Sequence, residues 1–139
     1  SLFNISRRGV GMLFDQEYRH ARTGALIALY QERRSCWALG IIRRTAAELD
    51  GRRFVGVELL SDTVSSASIV GDAQERQMAL LLPPCGERTA SALLLPEPAL
   101  TAGKRYALVS EKQEKPIVVE SFLLAGNDFV LYLFQPAPD

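Results

Sequence analysis

Rhythm is what most narrows the fold of this chain. From residue 78 onward it runs in short apolar stretches, 78–82, 90–95, 105–110, 117–124 and 129–134, separated by Pro83-Pro84, Pro96 with Pro98, Ala102-Gly103, Pro116 and Gly126-Asn127-Asp128. Runs of five to eight residues are strand-sized, and Pro and Gly at those intervals stop a strand rather than a helix. The pattern predicts antiparallel β structure, a sandwich or barrel. Ala-Leu-Leu-Leu-Pro occurs at 79–83 and again at 92–96, which reads as two equivalent strands of one sheet. The last two runs read as a hairpin.

The first half is β-like too, with different punctuation. Residues 9–14 and 25–30 are short apolar runs around a polar stretch, 15–23, that suits a turn or a single helical turn. Residues 36–42 and 54–60 flank a polar tip at 46–53 with Asp50-Gly51 near its end, the signal of an antiparallel hairpin. Gly40 and Gly56 lie inside those strands, where a glycine relieves crowding or marks a bulge. Trp37, flanked by Cys, Ala and Leu, is expected in the core. Arg43 and Arg44 are consecutive, so one of them is expected to point along each face of a regular strand.

Residues 61–68 are rich in small hydroxyl side chains, and a domain boundary is expected at about residue 64. Residues 71–77 read as a loop or short helix. The expected organisation is therefore all-β, with a first portion over 1–64 and a second small antiparallel barrel or sandwich over 65–139. The second group of strands has an alternative role, completing the first barrel.

Composition excludes several classes. At 139 residues with 47% hydrophobic content, the chain can bury a core, and no apolar run approaches the roughly eighteen residues of a membrane-spanning helix. No basic-then-apolar leader is present, so a soluble, cytoplasmic product is expected. Formal charge is zero, which argues against a binder of nucleic-acid polymers. The charge is unevenly placed: residues 1–62 hold ten Arg and seven acids, and every Lys lies beyond them. Arg is the better fork for phosphate and the better plate for a purine. Cys36 and Cys85 lack metal-site spacing and are expected as buried, reduced thiols. His20 stands alone among polar residues and reads as a surface side chain. Asp15 and Glu17 share no buried cleft that would separate their pKa values. No nucleophile elbow or dinucleotide fingerprint occurs, so an enzyme is not expected and neither a metal nor a cofactor is implied.

One stretch reads as ligand-facing: Asn4-Ile5-Ser6-Arg7-Arg8-Gly9. Asn4 and Ser6 offer an amide and a hydroxyl, Gly9 lets backbone approach a ligand, and Arg7 and Arg8 carry planar cationic forks, a set that suits a phosphorylated purine nucleotide.

This Asn-x-Ser-x-x-Gly stretch resembles the second signature of PilZ domains. Gly40-Ile41-Ile42-Arg43 is similar to that family's Gly-x-Val-x-Arg strand, and Val55-Gly56-Val57-Glu58-Leu59 to its Val-Gly-Val-Glu-Phe strand, in the same order. The resemblance implies a PilZ-like antiparallel β-barrel and a bacterial regulatory module that binds cyclic di-GMP. It implies a ligand site at Asn4, Ser6, Arg7, Arg8 and Gly9, with signalling through a tethered domain or protein partner. The family's Arg-x-x-x-Arg signature and first strands would lie before residue 1, which suggests a fragment of a longer protein. Arg7 and Arg8 would stand in for part of the missing charge. The alternative is a PilZ-like interaction domain that binds no nucleotide and docks to a partner, or to a second copy as a homodimer, through its β surface.

Overall fold

In the computed structural model, backbone is described for residues 2–5, 9–15, 22–47, 51–86, 88–111, 113–126 and 128–138, and side chains for those from 22 onward except 47. The described chain is all-β, in eleven strands: β1 (Leu2–Ile5), β2 (Gly9–Asp15), β3 (Leu26–Gln31), β4 (Cys36–Ala47), β5 (Arg52–Ser61), β6 (Ser65–Val70), β7 (Arg76–Leu82), β8 (Ser91–Leu95), β9 (Arg105–Ser110), β10 (Gln113–Ala125) and β11 (Val130–Pro136). They fall into two compact units, Ser1–Thr63 and Val64–Asp139.

The second unit is a closed antiparallel barrel in the order β10-β11-β8-β7-β6-β9, with β9 returning to β10. Closure removes the free edges that invite unwanted pairing. The two Ala-Leu-Leu-Leu runs are neighbours, Leu80 opposite Leu94 and Leu82 opposite Ala92, and β10 and β11 form the expected hairpin. Inside, Leu93, Leu95, Leu108, Ile117, Val119, Ile69 and Phe134 pack into one cluster. Burying each such aliphatic side chain contributes about 1.5–3 kcal/mol before chain entropy is counted. Two tyrosines bring their hydroxyls into this core without leaving them idle. Tyr106 Oη accepts from Thr101 N at 2.9 Å and Tyr132 Oη from Ala99 N at 3.2 Å, so the loop before β9 is fastened to the barrel.

β6 is the strand that its sequence hid. Ser65-Ser-Ala-Ser-Ile-Val looks like a linker, yet Ala67 and Ile69 are buried and the strand pairs with both β7 and β9. Its neighbours impose the extended form that its serines do not favour. Of residues 71–77, expected as a loop or short helix, 71–75 are the tight turn from β6 into β7 and Arg76 and Gln77 already belong to β7; Gly71 N donates to Glu75 O, and Gln74 takes a left-handed φ of 64°.

The first unit is an antiparallel sheet in the order β1-β2-β5-β4-β3. The expected hairpin is present as β4 and β5, with Val57 opposite Ile42 and Val55 opposite Thr45. Ile42, Val55 and Val57 form a small core on one face, joined by the partly buried Ala25, Ile27, Leu29 and Leu59.

Trp37 departs from expectation. It is 53% exposed and meets the ring of Tyr30, itself 52% exposed, edge to face at a centroid distance of 5.2 Å. Flanking apolar residues do not by themselves bury a strand residue: Trp37, near the start of β4, lies opposite Tyr30 at the exposed end of a face whose Leu39 and Ile41 are buried. Cys36 and Cys85 are free thiols, as expected, but half-buried rather than buried.

Candidate functional site

Register, rather than side-chain chemistry, first brings the relevant residues of the first unit together. Asn4 is opposite Gly11, Gly11 opposite Gly56, and Gly56 opposite Arg44, so one row crosses β1, β2, β5 and β4. Gly9, the first residue of β2, is opposite Glu58. Of the five residues expected to hold a ligand, Asn4 and Gly9 are therefore placed by backbone in β1 and β2. Ser6, Arg7 and Arg8 lie outside the described residues, in the segment that joins those two strands.

The sheet is irregular where the arginines sit. Ile42 is opposite Val57 and Arg44 opposite Gly56, so Arg43 is the additional residue of a β-bulge. A bulge sets two residues against one and breaks strict alternation. Phe54, Gly56 and Glu58 alternate with the core residues Val55 and Val57 and so occupy the opposite face. Arg43 Nε donates to Glu58 Oε2 at 2.6 Å. The Arg44 side chain runs over Gly56, where an added Cβ would stand 2.9 Å from its Cγ and Nε, and its guanidinium carbon is 5.8 Å from the centroid of the Phe54 ring. Both arginines are exposed. Consecutive residues expected on opposite faces thus reach over the same face.

Two of the three motif stretches, 40–43 and 55–59, have an evident packing job. Gly40 is needed because a Cβ there would lie 2.3 Å from Val57 Cγ1 and 3.1 Å from the Glu58 carbonyl oxygen. Gly56 makes room for the Arg44 stem, and Glu58 holds Arg43. Gly11 and Gly56, which carry no side chain, lie in one cross-strand row between the positions of Asn4 and Arg44, and the Arg44 stem covers Gly56. The two guanidiniums beside that row carry the forks that pair with phosphate oxygens.

A second polar cluster lies at the turn between β3 and β4. Gln31 Nε2 donates to Asp62 O at 2.8 Å, and Arg34 Nη1 to Asp62 Oδ2 at 3.1 Å. That hydrogen bond and the Asp62 charge raise the Arg34 pKa above its ordinary value. The cluster ties the end of β5 to the β3–β4 turn and has no open cation left from Arg34. Among the described residues no group of three or more His, Cys, Asp or Glu side chains is placed to hold a metal ion, and no helix is long and apolar enough to cross a membrane.

Sequence reasoning missed the shared face of Arg43 and Arg44 and the exposed Tyr30–Trp37 pair. Nothing in Ile-Ile-Arg-Arg marks the bulge. Alternation alone would not have found Trp37, because Leu39 and Ile41 share its face and are buried. Compared with protein-family models, with curated proteins and with solved structures, the chain finds no match.

Proposed function

We propose that the first unit is a PilZ-like regulatory module that binds cyclic di-GMP beside the segment joining β1 to β2 and signals by a change of conformation. The observation that carries this reading is the pair Arg43 and Arg44, brought by one bulge onto one face of the sheet where both are exposed, with Arg44 in the same cross-strand row as Gly56, Gly11 and Asn4. In this reading Arg7 or Arg8 pairs with phosphate oxygens and stacks on a guanine, Asn4 and Ser6 hydrogen-bond the base or sugar phosphate, and Gly9 keeps backbone clear of the ligand. Arg44, whose guanidinium carbon is 5.8 Å from the Phe54 ring centroid, offers a second plate. Arg43 is held by an exposed ion pair worth about 0.2–1 kcal/mol, so a phosphate can draw it from Glu58 at small cost.

The reading involves recognition without chemistry. Its output is a shift between arrangements of the module and whatever it contacts, which requires that the ligand bind one arrangement better than the other. A bacterial messenger of this kind places the protein in the cytoplasm.

Calorimetric titration of cyclic di-GMP into the chain, beside the double variant Arg7→Ala, Arg8→Ala and the single variant Arg44→Ala, tests it. Each lost charge-assisted contact is expected to weaken binding about ten- to a hundred-fold. Binding that survives the double variant unchanged discards the site. A complete absence of binding favours the second reading, a PilZ-like interaction domain without nucleotide, for which the exposed Tyr30–Trp37 pair beside the end strand β3 speaks.

A further inference from the structure

β3 ends the sheet of the first unit: among the described residues it pairs with β4 alone. Natural sheets guard such an end with a charge, a proline or a bulge. Leu26-Ile-Ala-Leu-Tyr-Gln31 carries none of these; the strand has no charged residue, no proline, and an unbroken register with β4 from Leu26 to Gln31. Ile27 and Leu29 pack on the small core yet stay only partly buried. On the other face Ala28 and Tyr30 are exposed.

The order of side-chain sizes is the same read in either direction: large, large, small, large, large from Leu26 to Tyr30, centred on Ala28. An antiparallel copy of the strand placed beside it about a two-fold axis at Ala28 sets Ile27 opposite Leu29 and Leu26 opposite Tyr30, while Ala28 faces Ala28 of the second copy. Opposed side chains in an antiparallel pair share a face. On one face Ile27 and Leu29 therefore continue the apolar core across the seam, and on the other two alanines meet at the axis with large side chains on both sides. No cation or anion lies along the seam to repel its twin. Beyond its ends the same register sets Arg22 of one copy opposite Arg34 of the other, whose charge Asp62 already engages, in a turn that also holds the exposed Glu32 and Arg33.

We infer that β3 is a dimerisation strand, and that two copies of this chain join through antiparallel β3–β3 pairing about Ala28 into one continuous sheet. The partner is a second copy because the seam is self-complementary in size, in polarity and in the absence of charge. A two-fold contact demands that self-complementarity, whereas an unrelated partner does not.

Sedimentation equilibrium of the full chain tests this. The wild type is expected to move with rising concentration from 15.3 kDa towards twice that mass. Ala28→Lys and Ala28→Glu each place two like charges at the axis and are expected to remain at the single-chain mass. Their equimolar mixture sets Lys against Glu and is expected to recover the doubled mass, which also shows that both variants are folded. A wild type that stays at the single-chain mass up to on the order of 0.1 mM, either variant alone retaining the doubled mass, or a mixture that fails to recover it, each overturns the inference.

Discussion

Arg43 Nε donates to Glu58 Oε2 at 2.6 Å across the one bulge that sets consecutive arginines on a single face. Both side chains are close to half exposed, so their attraction is screened and the pair holds a direction more than it holds the fold. Glu58→Gln is expected to change unfolding free energy in urea by less than about 1 kcal/mol. The same substitution frees Arg43, so on the proposed function the affinity for cyclic di-GMP is expected to rise; a calorimetric titration that shows it unchanged would take Arg43 out of the ligand's reach.

Gly40 is different, because backbone as well as side chain stands in the way of a larger residue. Gly40→Ala drives a methyl group into Val57 Cγ1 and towards the Glu58 carbonyl. Overpacking of this kind costs about 1–3 kcal/mol, read as a lower urea midpoint. Adding Val57→Ala removes the nearer clash, so the double variant is expected to lose less than the sum of the two single variants.

In the barrel, Arg88 fastens the loop between β7 and β8. Its Nη1 donates to Ala90 O at 2.6 Å and Leu82 O at 3.3 Å, and its Nη2 to Pro83 O at 2.8 Å. Partial burial lowers its pKa below the ordinary value for arginine. An ammonium is a point charge without the planar fork, so Arg88→Lys leaves carbonyls unmet and is expected to cost about 1.5–3 kcal/mol. Thermal melting followed by circular dichroism measures it, and an unchanged midpoint would show that water replaces the guanidinium.

The turn into β7 carries strain that can be relieved. Gln74 holds φ at 64°, a left-handed conformation in which a Cβ is crowded. Gln74→Gly removes that crowding and is expected to raise stability by up to about 1 kcal/mol, the relief exceeding the entropy that glycine loses on folding. A lower melting temperature in the variant would mean that the Gln74 side chain makes a contact worth more than the strain.

Much of the architecture follows from local sequence. The two Ala-Leu-Leu-Leu runs, the stretch before Gly126, and the hairpin around Asp50-Gly51 are strands because apolar runs of strand length and the turn residues that bound them agree. Those signals are short-range, and sequence holds them in full. What only tertiary structure decided is what depends on partners distant in the chain. Ser65–Val70 becomes a strand because β7 and β9 take up its backbone groups, and the closed barrel exists because β9 reaches both β6 and β10. Trp37 is exposed because it pairs with Tyr30 at the end of β4, short of the buried Leu39 and Ile41 on the same face, and Arg43 joins Arg44 because Val57 and Gly56 are matched with a residue to spare. A register shift of one residue moves a side chain to the other face of a sheet, and register is a property of two strands together.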